Sequence, residues 1–143
     1  MLKSVLGMMF LVAQLTGPGA TLPQVLHPDF KSDRPVIAGK MNEITVSFAL
    51  LKGYAINHTP PISLKLTPTE GVTLGKTDFE TPSKDPKSKD EYYVDLPSLT
   101  VPVTVAKAGM YEIPGKLVYF FCSKTDGFCS RQTLDLKIPI TAQ

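Results

Sequence analysis

Alternation of apolar and polar residues dominates the chain after residue 40 and predicts β-strands. In residues 42–51 every second side chain from Ile44 to Leu50 is apolar, which is the period of a half-buried strand. The same period, or a short apolar run, predicts strands at 54–56, 62–67, 72–74, 99–105, 110–113, 116–121 and 133–140. No stretch after Leu26 keeps the period of an amphipathic helix. The pattern therefore predicts an all-β protein.

Proline and glycine residues separate these strands and reduce the number of folds that the pattern allows. The 143 residues include 13 prolines and 10 glycines, and this length suits one domain with a sizeable core. About seven or eight short strands predict an immunoglobulin-like antiparallel β-sandwich over residues 35–143, with a closed barrel as the alternative. Residues 21–34, which carry Pro23 and Pro28, are predicted to form an extended arm or an edge strand. Pro102 has no backbone N–H to donate to a neighbouring strand. Its strand is therefore predicted to lie at the edge of a sheet, at least at that residue.

The first 20 residues have the composition of an export signal. Lys3 supplies a positive start, residues 5–15 form a short apolar run, and residues 16–20 are mostly small. A buried N-terminal strand or helix is the alternative. The apolar run is too short to span a bilayer comfortably, and no other segment is predicted to cross a membrane. We therefore expect residues 1–20 to be removed and the mature protein to be periplasmic or secreted.

Cys122 and Cys129 are the only cysteines, and they flank a short polar loop between the last two predicted strands. Residues 117–121 are all apolar or aromatic, which is typical of a strand covered on both faces. In an exported protein the two thiols are expected to be oxidised to a disulfide. If the alternation of residues 133–140 continues back without a bulge, Cys129 points away from the core together with Arg131. Such a disulfide would be open to another protein's thiolate.

Three roles are compatible with the cysteine pair. A structural disulfide is the first, and closing an eight-residue ring would stabilise the fold by about 2.5 kcal/mol. Thiol–disulfide exchange is the second, with Cys129 favoured as the attacking residue because of its predicted outward direction. Metal binding is the third, but copper or zinc would need further ligands, and only His27 and His58 are candidates. We predict neither a metal nor a cofactor.

Residues near the two cysteines are candidates for lining their site. Lys124 would favour a thiolate and Asp126 would oppose it, so the loop does not fix the direction of a change in cysteine pKa. The aromatic side chains of Tyr119, Phe121 and Phe128 complete this predicted lining.

The other polar features predict little specific chemistry. Residues 78–91 are the most polar region and are predicted to form a solvated loop, with a flexible flap over a site as the alternative. Residues 57–59 match the acceptor pattern for N-glycosylation. No combination of serine, histidine and acid suggests a hydrolase. A net charge of +2 is too small to predict binding to nucleic acid or to an anionic membrane.

The segment GKLVYFFCSKTDGFC, residues 115–129, resembles the end of the N-terminal domain in the thiol:disulfide interchange protein DsbD family. It has the family's G-x-hydrophobic-x-Y-x-x-C pattern and a short loop that ends in glycine, a hydrophobic residue and cysteine. The segment GYAINHTPPISLKLTPTEGVTL, residues 53–74, resembles the family's G-x-H-hydrophobic-N segment. The resemblance covers most of residues 35–141. Two features differ: the cysteine spacing is one residue longer, and residues 130–132 replace a proline-rich stretch.

This resemblance implies an immunoglobulin-like sandwich in the bacterial periplasm whose Cys122 and Cys129 cycle between dithiol and disulfide. Electrons would pass from a membrane redox partner to exported, thioredoxin-like oxidoreductases. The resemblance also implies that Tyr92 and Tyr93 lie near the site. The sequence carries neither the membrane-spanning nor the thioredoxin-like domain of DsbD, so we expect separate protein partners. The alternative is a non-enzymatic sandwich that binds a protein or caps an assembly and uses the disulfide as a staple.

Overall fold

A computed structural model describes residues 22–143, which form nine β-strands. The strands are β1 (Leu26–Lys31), β2 (Met41–Leu50), β3 (Tyr54–Ile56), β4 (Ser63–Leu66), β5 (Val72–Leu74), β6 (Asp78–Glu80), β7 (Leu99–Val105), β8 (Gly109–Ser123) and β9 (Cys129–Ala142). Within this range there is no helix long and apolar enough to cross a membrane. The predicted export signal, residues 1–20, lies outside the described residues.

The strands form two antiparallel sheets. One sheet has the order β1-β2-β7-β5. The other is centred on β8, which pairs with β9 along one side and with β4 and β3 along the other, while β6 pairs with β4. The prediction of an all-β antiparallel protein is therefore confirmed. Its narrower part, an immunoglobulin-like arrangement, stays a prediction.

A single hydrophobic core lies between the two sheets. Alternate side chains of β7, from Leu99 to Val105, are buried on the side of the first sheet, and Leu117 and Ile138 are buried on the side of the second. These residues belong to one cluster that joins both sheets. Because successive side chains of a strand point to opposite faces, each sheet gives one face to the core and leaves the other outside.

Strand β8 is longer than the sequence predicted. Residues 110–113 and 116–121 were expected to be separate strands, but Pro114 and Gly115 continue the ladder between them. The Pro114 carbonyl accepts a hydrogen bond of 2.8 Å from the backbone N–H of Thr67. A Cβ on Gly115 would lie 2.8 Å from a methyl group of Leu66, so the missing side chain allows close packing between β4 and β8.

The polar region contains a strand that the sequence did not predict. Residues 78–80 form β6 because Phe79, which is 6% exposed, packs into the core opposite Leu64 of β4. The rest of this region belongs to residues 81–98, which have no regular strand and are called the β6–β7 loop below.

Two edge predictions have different outcomes. Within the predicted N-terminal arm or edge strand, β1 forms the edge of the first sheet. Strand β7 is not an edge strand, because β2 pairs with one side and β5 with the other. The β5 pairing ends at Val103, so Pro102 is the first residue beyond it. The prediction is wrong for the strand as a whole and correct for Pro102 itself.

Candidate functional site: the Cys122–Cys129 disulfide

The two cysteines form a disulfide at the end of the β8–β9 hairpin. The two strands pair without a bulge from Gly109 opposite Ala142 to Cys122 opposite Cys129. Residues directly opposite each other in an antiparallel pair carry their side chains on the same face. The cysteine Cα atoms are 4.0 Å apart and the sulfurs are bonded. The long register therefore explains why this pair of residues is joined.

The two halves of the disulfide differ in exposure. Cys129 is exposed, as are Arg131, Thr133 and Asp135, whereas Leu136 is buried in the core. This pattern confirms the predicted outward direction of Cys129. Cys122 lies on the same outer face but is only 5% exposed. Another protein can therefore reach Cys129 more readily than Cys122.

Strand β3 and Asn57, the residue after it, lie against Cys122, and the β6–β7 loop pairs with their other side. Ala55 of β3 lies directly opposite Cys122, and the side-chain oxygen of Asn57 lies 3.6 Å from its sulfur. Tyr92 of the loop pairs with Asn57 in an isolated antiparallel bridge. The backbone N–H of Tyr93 donates to the carbonyl of Ile56 over 2.9 Å. The loop thus extends the sheet beside β3, on the side away from β8.

Tyr119 and Phe121 lie on the opposite face of β8 from Cys122. Both are 0% exposed, because alternation along the strand turns odd-numbered residues of β8 into the core. Phe121 packs edge-on against Tyr54 and Phe128, with ring centroids 5.7 and 6.1 Å away. These aromatic residues support the hairpin from behind and do not form its outer surface.

Tyr119 fastens the N-terminal segment to this aromatic cluster. Its hydroxyl oxygen accepts a hydrogen bond of 3.1 Å from the backbone N–H of Leu26 and donates to the side-chain oxygen of Gln132. Burial raises the pKa of Tyr119 above its ordinary value, so the phenol stays neutral at physiological pH.

Lys124 and Asp126 lie in the exposed turn between the cysteines. The backbone N–H of Lys124 donates to the Gly53 carbonyl over 2.9 Å, and that of Asp126 donates to the Ser123 hydroxyl oxygen over 3.1 Å. Gly127 has φ of 72°, a left-handed conformation that glycine adopts without strain. The backbone bonds hold this turn, Lys124 is exposed, and the Ser123 hydroxyl lies 3.5 Å from the Asp126 carboxylate, to which it can donate.

The two predicted tyrosines of the loop separate. Tyr92 pairs with Asn57 and therefore lies on the Cys122 face, half-buried. Tyr93 points to the other side, where its hydroxyl lies 2.7 Å from the hydroxyl of Thr81. Burial raises the pKa of Tyr93. Only Tyr92 of this pair therefore lies on the face of the sheet that carries the disulfide, and β3 separates it from Cys122.

Sequence reasoning missed two neighbours of the disulfide. Phe120 is half-buried on the outer face, two positions from Cys122 on the same strand. Counting alternate positions back from the cysteine would have selected Phe120 instead of Phe121. Asn57 reaches the site through the pairing of β3 with β8, and no pattern in the sequence around Asn57 predicts that contact.

No metal site is found in residues 22–143, where no three or more histidine, cysteine, aspartate or glutamate side chains come together. His27 is on β1, in the sheet that does not contain the cysteines, and His58 contacts the β6–β7 loop. A scan against protein-family models and a search of curated proteins found no match to this chain.

Removing the disulfide should have a modest effect on stability. The double variant Cys122→Ala, Cys129→Ala is expected to lose about 2.5 kcal/mol of unfolding free energy, because its unfolded chain is no longer constrained by the small ring. Urea denaturation of the variant and of the wild type, each with and without reductant, measures this loss. Reductant should lower the stability of the wild type alone. Equal stability of the oxidised wild type and the variant would contradict this expectation.

Proposed function

We propose that this protein is an exported thiol–disulfide exchange domain that uses the Cys122–Cys129 pair. The observation that carries the proposal is the unequal exposure of the pair, with Cys129 open to solvent and Cys122 covered. Exchange needs one sulfur that a partner can reach and a second one close enough to resolve the mixed disulfide. The resemblance of residues 115–129 to the end of the DsbD N-terminal domain supports the same activity.

In the reductive direction, the Cys129 thiolate attacks one sulfur of a partner's disulfide. A mixed disulfide forms, and the partner's other sulfur leaves as a thiolate that takes up a proton. The Cys122 thiolate then attacks the Cys129 sulfur, re-forms the intramolecular disulfide and releases the partner's second thiolate. Two electrons pass to the partner. A second redox protein must reduce the Cys122–Cys129 disulfide before the next cycle.

The position of the disulfide in the hairpin also favours exchange over a purely structural role. The bond joins two strands that are already paired over fourteen residue pairs, and it lies at the last pair. A cross-link between adjacent paired strands closes a small ring and therefore constrains the unfolded chain least. A disulfide that served only stability would gain more by joining distant segments.

The expected partners are protein redox carriers of the thioredoxin-like or membrane type, in the periplasm or outside the cell. Cys129 lies on the outer face of an open sheet with its charged neighbours Arg131 and Asp135. Such a surface offers a broad approach to another protein's cysteine.

A redox titration tests the proposal. The protein is equilibrated in thiol–disulfide buffers of graded potential, and the fraction of oxidised Cys122–Cys129 is measured by thiol alkylation and mass. We expect a midpoint above about −300 mV, within the range of exchanging disulfides. The double cysteine-to-alanine variant controls for non-specific alkylation. A midpoint well below that value would instead indicate a structural bond, and the protein would then be an interaction module stapled by its disulfide.

A further inference from the structure

His58 lies between two backbone carbonyls of the β6–β7 loop. Its Nδ1 is 3.0 Å from the carbonyl oxygen of Ser83, and its Nε2 is 2.9 Å from that of Asp90. A carbonyl can only accept hydrogen bonds, whereas a neutral imidazole carries one N–H and an imidazolium carries two. Both contacts are therefore hydrogen bonds only when His58 is protonated.

When the His58 ring is neutral, one of the two loop carbonyls loses its hydrogen bond from the imidazole. If Nε2 keeps the proton, the Nδ1 lone pair faces the Ser83 oxygen at 3.0 Å. The Thr59 hydroxyl lies 2.7 Å from the Ser83 oxygen and 3.2 Å from Nδ1, and its single proton can serve only one of them. If Nδ1 keeps the proton, the Asp90 carbonyl loses its donor. Deprotonation therefore removes a hydrogen bond in either tautomer.

The segment that His58 holds pairs with the end of β3, whose next residue contacts Cys122. Asp90 is followed by Glu91, whose carbonyl accepts a hydrogen bond of 2.9 Å from the His58 backbone N–H. Tyr92 comes next and pairs with Asn57, which contacts the Cys122 sulfur. Loosening the loop at Asp90 or Ser83 thus weakens the pairing of Tyr92 with Asn57, the residue beside this half of the disulfide.

The acidic groups around His58 do not change their protonation state in the pH range in which histidine side chains ordinarily titrate. The carboxylates of Asp85 and Asp90 accept backbone hydrogen bonds from Val94 (2.7 Å) and Tyr92 (3.0 Å) respectively. These bonds lower the pKa of both acids, so both stay ionised above about pH 5. The Tyr93 ring, 5.8 Å from the imidazole, has a raised pKa and stays neutral. Next to the two loop contacts in sequence, the charged side chains of Lys84, Lys89 and Glu91 are exposed.

We propose that His58 is a proton-operated latch that holds the β6–β7 loop against the end of β3, beside Cys122, when protonated and loosens it when neutral. Because both hydrogen bonds need the imidazolium, closure is favoured at low pH and is lost when the ring gives up its proton. The latch stands on the loop contacts alone.

Hydrogen exchange tests the latch without any redox reaction. The amide of Tyr93, bonded to the Ile56 carbonyl, reports loop opening, and the amide of Leu117 in the core reports global unfolding. We expect the Tyr93 protection factor to fall about tenfold between about pH 5.5 and about pH 8, the effect of losing one charge-assisted hydrogen bond, while that of Leu117 holds. His58→Gln should remove this pH dependence. His27→Gln, which changes the exposed histidine of β1, should keep it.

The imidazole itself provides a second measurement that needs no variant. Proton–nitrogen NMR of the wild type should detect two ring N–H protons on His58 at about pH 5.5 and one at about pH 8. A single ring N–H at both pH values would overturn the latch. So would a Tyr93 protection factor that is equal at both pH values, or one that loses its pH dependence in His27→Gln.

The redox titration separates the two proposals. A low redox midpoint together with pH-dependent loop protection would overturn the proposed function and leave the latch standing. A redox-active pair beside a loop whose protection is the same at both pH values would overturn the latch alone.

Discussion

Cys122→Ser is expected to accumulate a mixed disulfide through Cys129 when the reduced protein meets an oxidised thioredoxin-like protein. Cys129 is exposed and attacks, and the variant lacks the buried thiol that would resolve the intermediate. In the reciprocal variant, Cys129→Ser, the remaining thiol is 5% exposed and lies against Asn57. We expect it to trap the partner more slowly, by on the order of tenfold or more, because thiol exchange depends on access. Non-reducing gels and intact mass measure the trapped complex over time.

Two controls make this comparison interpretable. The double variant Cys122→Ser, Cys129→Ser should trap nothing, and urea denaturation should show that each single variant is folded without the disulfide. Equal trapping rates for the two single variants would contradict the assignment of Cys129 as the attacking residue. Faster trapping by Cys129→Ser would reverse the roles of the two cysteines.

Phe121→Ala is expected to lose about 3–5 kcal/mol of unfolding free energy, the largest stability effect that we predict. Phe121 is 0% exposed and packs between Tyr54 and Phe128, directly behind the strand that carries Cys122. Truncation removes a large apolar side chain and leaves a cavity that strands β3 and β8 can fill only in part. Urea denaturation with the disulfide intact measures the change.

Phe120→Ala is the matched control, because it removes the same ring from the preceding residue, which lies on the opposite face of β8. Phe120 is half-buried and lies outside the hydrophobic core, so we expect a loss of about 1 kcal/mol or less. Similar losses in the two variants would contradict the assignment of the two faces of β8.

The strands could be predicted where a local pattern specifies them. The alternation in β2, β7 and β9 identified these strands and their buried faces, because a half-buried strand has a period of two residues. Strand β6 could not be predicted in this way. Its three residues carry a single buried side chain, Phe79, in a charged region, and pairing with β4 decides their conformation.

The candidate site could be predicted only in part, for a related reason. The outward direction of Cys129 followed from the alternation of β9. Residues 117–121 are apolar throughout, so their sequence does not show which side chains face the core. The prediction therefore placed the buried ring of Phe121 at the site instead of the outer ring of Phe120. The residues against Cys122 are Ala55 and Asn57, which lie far from it in sequence and approach it through sheet pairing.

The unbroken ladder between β8 and β9 separates two kinds of length change in the hairpin. Residues added between the cysteines enlarge the turn beyond the last rung, so Cys129 keeps its orientation. One residue added between Cys129 and Leu136 would move every side chain before it to the opposite face of the strand. The Cys129 sulfur would then point inward, unless a bulge absorbed the extra residue. We therefore expect insertions in the loop between the cysteines to leave Cys129 in place, and insertions in the strand to displace it.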